Sequence, residues 1–164
     1  MTRKRQTPRL APQIAVSRRS RVPGVSAASV RSDARRVLLA LGENAAELTI
    51  SLVGDLEIHE LNRRYRGKDR PTDVLAFAMR EGEPVPVGAD VLGDVVISLE
   101  TATLQAKRRG RALAGEVRVL LIHGILHLLG YDHERGAAEA RRMHSAERRL
   151  RRLLVRSPPL KKGG

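Results

Sequence analysis

Two different apolar periods run along this chain, and the switches between them mark its elements. Over residues 26–41, Val30, Ala34, Val37, Leu38 and Leu41 recur at three- and four-residue steps. That spacing predicts an amphipathic helix, with Gly42 as its stop. Residues 47–53 (ELTISLV) alternate with a period of two and predict a strand. Asp55 reads as the N-cap of the next helix, in which Ile58, Leu61, Asn62 and Tyr65 share a face and Gly67 closes the end. Residues 74–79 predict a short apolar strand. Residues 81–89, with Gly82, Pro84, Pro86 and Gly88, predict a turn, and residues 91–99 a strand interrupted at Gly93-Asp94. Three helices follow, over 100–109, 113–129 and 137–155. The middle one is strongly apolar; the last is basic, with Met143, Leu150, Leu153 and Leu154 as its inner face. This order predicts an α+β fold: a single domain with a small mixed β-sheet covered by helices.

Composition narrows the class. The 164 residues suit one domain. Without cysteine there is no disulfide framework, thiolate metal site or cysteine nucleophile. Tyr65, Phe77 and Tyr131 are the only aromatics, too few for a base-stacking platform. No apolar run approaches the ~18–20 residues that span a bilayer, so no membrane partner is expected. The formal net charge of +13 is uneven: +9 over residues 1–36, −3 over 37–136 and +7 over 137–164. Basic ends favour a polyanion through counterion release, and equally fit a solubilising tail and a solvated helix face. Residues 1–25, rich in arginine and proline, read as a basic disordered extension. Residues 26–156 then form the single domain, and 157–164 a disordered tail.

The chemistry concentrates in residues 120–135, LLIHGILHLLGYDHER. His123 and His127 are four apart, so a helix projects them from one face. Gly130 can end that helix in a left-handed cap, letting His133 swing back toward the other two. A lone histidine in an apolar helix is usually a satisfied core residue. Three imidazoles buried together without a ligand would instead leave polar nitrogens hard to satisfy. Three neutral imidazoles suit zinc and leave one coordination position open. The spacing is also the H-x-x-x-H-x-x-G-x-x-H frame of metzincin proteases, whose general base is a Glu after the first His. Gly124 stands there, so the protease reading lacks its acid/base catalyst.

The run His123-Gly124-Ile125-Leu126-His127-Leu128-Leu129-Gly130-Tyr131-Asp132-His133 resembles the H-G-x-L-H-L-x-G-Y-D-H signature of the YbeY family. Residues 61–75, LNRRYRGKDRPTDVL, resemble a second block of that family, and Leu92-Gly93-Asp94 a third. Ala76-Phe77-Ala78 departs from the family's usual Ser-Phe-Pro. The resemblance covers roughly residues 28–150. It implies a cytoplasmic, zinc-dependent, single-strand-specific endoribonuclease acting in 16S ribosomal RNA 3′-end maturation and ribosome quality control. It further implies one Zn2+ ion held by His123, His127 and His133, and Arg66 as the catalytic arginine. The implied partners are precursor rRNA and the ribosome, with ribosomal proteins and an assembly GTPase. Removing residues 1–22 is then expected to weaken RNA affinity and leave the metal bound. The residues themselves allow Arg66 either a phosphate-clamping role or a place in a solvated cluster with Arg63, Arg64, Lys68 and Arg70. Asp73 and Asp94 could orient a ligand or serve as turn residues; His59 and His144 read as solvated. Two alternatives stand beside the nuclease: a zinc hydrolase of peptides or small molecules, and a non-catalytic ribosome-assembly factor with a structural metal.

Overall fold

In the computed structural model, which describes residues 11–79 and 90–156, four strands and five helices enclose one principal core. The order is β1 (Gln13–Arg18), α1 (Ala27–Ala40), β2 (Glu47–Val53), α2 (Asp55–Arg66), β3 (Val74–Ala78), β4 (Val91–Ser98), α3 (Leu99–Arg109) and α4 (Leu113–Leu128). A 3-10 turn (His133–Arg135) and α5 (Ala137–Arg156) complete it. The sheet order is β1-β2-β4-β3. β1, β2 and β4 are mutually parallel and β3 runs antiparallel at the edge, so the sheet is mixed and the fold α+β.

Strand alternation divides the apolar residues between two faces. Leu48, Ile50 and Leu52 of β2 and Val95 and Ile97 of β4 join the main core with α1, α4 and the inner face of α5. Val53, Leu75 and Val96 instead meet Ile58 of α2, with Leu61 and Phe77 packed against them. Helix α4 touches β3, β4, α1, α3 and α5. Being covered on several sides, it is apolar around most of its circumference. Leu121, Ile122, Ile125 and Leu126 are fully buried, each contributing on the order of 1.5–3 kcal/mol by transfer from water.

The structure corrects three expectations. Residues 13–18, assigned above to a disordered extension, form edge strand β1, paired in register from Gln13↔Glu47 to Arg18↔Leu52. Ile14 and Val16 pack on the core, so a truncation through residue 22 would remove a strand as well as charge. Asp55 is not the N-cap of α2; Gly54 is. The Glu100 carboxylate accepts from the Asp55 N–H at 2.9 Å and occupies the space a Gly54 Cβ would need. Asp55 itself accepts from Ser98 Oγ and Thr101 Oγ1, both at 2.6 Å. Finally, β4 is not interrupted at Gly93-Asp94. The register steps from Glu47↔Val91 to Leu48↔Gly93, so one extra residue bulges and Gly93 takes φ +143°. The expected turn at 81–89 and the tail at 157–164 lie outside the described residues.

Candidate metal centre

Helix α4 carries His123 and His127 toward a cleft because their four-residue spacing stacks them on one face. The helix then ends in a Schellman closure: Tyr131 N–H donates to Leu126 O and Gly130 N–H to His127 O, both at 3.0 Å. That closure needs a left-handed residue, and Gly130 supplies it at φ +89°. Asp132 caps the turn that follows, its Oδ1 accepting from Glu134 N–H at 2.9 Å, while Oδ2 meets Arg135 at 3.3 Å. His133 is thereby swung back. One ring nitrogen from each of His123, His127 and His133 lies within 4.8 Å of the others. Asp132, engaged on both oxygens, is a loop-shaping residue.

The donor set fits a metal. His123 Nε2 and His127 Nε2 face each other at 3.1 Å. Two vertices of a tetrahedral zinc site with Zn–N near ~2.05 Å would lie ~3.3 Å apart. Three imidazoles with no thiolate suit zinc, copper, iron or nickel, and disfavour magnesium and calcium. Burial, then the neighbouring His123 and His133, hold the His127 imidazole below its ordinary 6.5, so its ring stays neutral and able to ligate.

One contributor escaped the sequence reading. Glu147 of α5 places Oε1 3.1 Å from His123 Nδ1. With Nδ1–H donating to that carboxylate, the Nε2 lone pair is free to face the cluster. The only sequence signal was an acid on the inner side of a basic helix, twenty-four residues away. His144 Nδ1 lies 3.7 Å from the other oxygen of Glu147, so neither His144 nor His59 is simply solvated: His59 Nε2 lies 2.7 Å from Asp69 Oδ1. Replacing Glu147 with glutamine should weaken metal binding about 10–100-fold, measured by chelator competition, with the fold retained by circular dichroism.

Around the histidines opens a cleft of about 600 Å³, lined by Arg66, Lys68, Arg70, the edge strand β3 and the 130–135 loop. Arg66 projects from the last turn of α2. Its Nη2 donates to Ala76 O at 2.5 Å and its Cζ lies 5.4 Å from the Phe77 ring centre. Because that anchor is a main-chain oxygen, Ala76 in place of serine leaves it intact. Among the described residues Arg66 has no carboxylate partner, whereas Arg63 is taken by Glu60 at 2.6 Å. Asn62, buried, donates to Arg70 O at 2.9 Å and holds the cationic loop in place. Asp73 is structural: Oδ1 accepts from Val74 N–H at 2.8 Å and Oδ2 from Gln105 at 3.1 Å. Asp94 is exposed on β4, opposite Thr49 and Phe77, and does not join the histidines. Tyr131 packs on the core with the Arg142 guanidinium 4.6 Å over its ring.

Gly124 explains why a metzincin-type glutamate is missing. A Cβ there would meet Val95 Cγ1 at 2.8 Å and Val74 Cγ2 at 3.4 Å. The position is buried at the floor of the cleft where α4 crosses β4 and β3, so any side chain there would first have to displace Val95.

The family model described as Endoribonuclease YbeY matches residues 17–154. The chain belongs to the YbeY family. The Endoribonuclease YbeY of Geobacter metallireducens is 45% identical over 145 residues, covering 88% of this chain and 97% of that protein. That of Geobacter sulfurreducens is 46% identical over 143 residues, covering 87% and 95%. The YbeY of Aquifex aeolicus reaches 51% over 114 residues, covering 70% and 74%. Among solved structures, the solution structure of TM1509 from Thermotoga maritima superposes with a TM-score of 0.61 at 25% identity, covering 92% of this chain and 99% of that one. The YbeY match begins inside β1, which agrees with that strand being part of the domain.

Proposed function

We propose that this protein is a zinc-dependent, single-strand-specific endoribonuclease of ribosomal RNA maturation and quality control. The observation that carries the reading is the meeting, in one cleft, of a three-imidazole cluster and an arginine without a carboxylate partner among the described residues. Membership of a family whose named members are endoribonucleases supports RNA as the substrate. His123, His127 and His133 would hold the metal, His123 through Nε2 because Glu147 engages its Nδ1. A metal of this class, when bound, supplies Lewis acidity and lowers the pKa of a water at its open position.

Arg66 binds the scissile phosphate. Its anchor on Ala76 O uses one N–H of a five-donor fork, leaving others for two phosphate oxygens. A planar cation already fixed against β3 and Phe77 loses little freedom on binding, so it offsets developing charge without reorganising. Lys68 and Arg70 hold flanking phosphates. Gly124, where a metzincin has its glutamate, supplies no general base, which counts against the peptide-hydrolase alternative.

Elemental analysis of the purified protein, combined with cleavage of single-stranded RNA and of an unstructured protein, tests the reading. The expected result is zinc at about one per chain and cleavage of RNA alone. Arg66→Ala should lower RNA cleavage by ~10²–10³ with metal content unchanged, the scale set by losing one charge-stabilising donor. A metal-loaded protein that leaves RNA intact would overturn the assignment. Product ends decide the nucleophile: a 2′,3′-cyclic phosphate excludes direct attack by water.

A further inference from the structure

Helix α5 carries more positive charge than its packing accounts for. Its inner face, with Met143, Ala146, Leu150 and Leu154 buried, docks it on the core. Its outer face presents Arg148, Arg151 and Arg152 at i, i+3 and i+4, with Arg141 two turns before them. Among the described residues none of these four has a carboxylate within salt-bridge distance. The helix's two acids are engaged elsewhere, Glu139 with Arg142 at 3.9 Å and Glu147 with the histidines.

A solvated helix face usually intersperses both signs, because like charges at i,i+3 and i,i+4 repel and destabilise the helix. The helix dipole favours cations only in the last turn, which does not cover Arg141 or Arg148. Every cation of α5 is arginine and none is lysine. The whole chain favours arginine, with only five lysines among its 31 Lys and Arg residues, so the choice is not special to α5, but the planar fork of arginine suits bidentate phosphate contact. The helix bears no aromatic residue, so it offers nothing on which a base could stack.

The helix that carries the stripe starts beside the cleft. Near its start α5 places Arg142 over Tyr131, a cleft residue, and one turn later Glu147 meets His123. From there the twenty residues of α5 extend ~30 Å in total. Resting on the nuclease reading above, we propose that this arginine stripe is the track that holds the sugar–phosphate backbone of RNA leaving the cleft. It grips flanking RNA without regard to sequence, while the cleft holds the phosphate to be cut.

The test is Arg148→Gln/Arg151→Gln/Arg152→Gln in the full, metal-loaded chain, with binding of a long single-stranded RNA measured against salt. Three lost phosphate contacts should reduce the slope of log K on log[salt] by ~2, making binding about a hundredfold weaker at ~0.1 M salt and equal near ~1 M. Affinity for a short oligonucleotide ending within the cleft, metal content and melting temperature should stay at wild-type values. If the triple variant melts early, Arg148→Gln/Arg152→Gln should still reduce the slope by ~1.4. An unchanged slope overturns the proposal. So does a variant that loses binding to phosphatidylglycerol vesicles but keeps its RNA affinity, since the stripe would then serve a membrane surface. Wild-type protein that binds RNA through the stripe yet cuts none would sink the nuclease reading alone.

Discussion

Replacing His127 with alanine is expected to empty the metal centre and abolish RNA cleavage, by at least about a thousandfold. The scale follows from losing several kcal/mol of charge stabilisation at ~1.4 kcal/mol per decade of rate. His127 is the nearest neighbour of His123, with the two rings 4.5 Å apart, and burial lowers its pKa. Two remaining imidazoles make an incomplete set for zinc. Metal content and cleavage should fall together while circular dichroism holds. A His127→Ala protein with full metal and full activity would remove the cluster from the chemistry.

The same residue sets an acid response. Its folded pKa lies below the unfolded 6.5, so between those values the unfolded chain binds the extra proton. Stability of the metal-free protein should therefore fall as pH drops through 6.5 and level off below the folded pKa. His127→Ala should flatten that segment of a urea-midpoint-versus-pH curve.

The second large effect is on the fold. Gly93→Ala is expected to destabilise the protein by about 3 kcal/mol or more, lowering Tm by ~6–12 °C for a domain of this size. Two causes add. The φ of +143° is foreign to alanine, and its Cβ would overlap the Phe77 carbonyl oxygen on the neighbouring strand. That oxygen is backbone, so β3 itself must move, and with it the wall that seats Arg66. Gly67→Ala is the comparison: φ +67° with nothing near the added Cβ, it should cost only about 1–2 kcal/mol. Equal losses at the two positions, measured by urea unfolding, would show that conformation alone decides.

What was legible in the sequence is what local rules specify. The i, i+4 histidines, Gly130 and the Asp132 turn lie within eleven residues, so spacing and capping rules alone bring the ligands together. The four-residue apolar periods gave α1, α4 and α5 almost to the residue. Strand β1 was illegible because QIAVSR sits among arginines and prolines and becomes a strand only by pairing with Glu47–Val53. The Gly93 bulge looks like a break in a single strand, since a register step is visible only with both strands present. Glu147 could not be found because helix-to-helix packing, not spacing, carries it to His123. Asp55 misleads for a related reason: Glu100, forty-five residues on, accepts from the first helical N–H.

The contrast between local ligands and a distant wall has a kinetic side. The ligand set forms as soon as α4 and its closing turn do, events of microseconds. The wall opposite comes from β3, whose position depends on β4, and β4 in turn pairs in parallel with β2 some forty-five residues earlier. Parallel pairing at that separation must first close a long loop, so it forms late. During refolding the three histidines are thus together before Arg66 has its seat. On the proposed function, metal capture would then precede the competence to cut, and a refolding chain supplied with metal would pass through a stage that is loaded but inert.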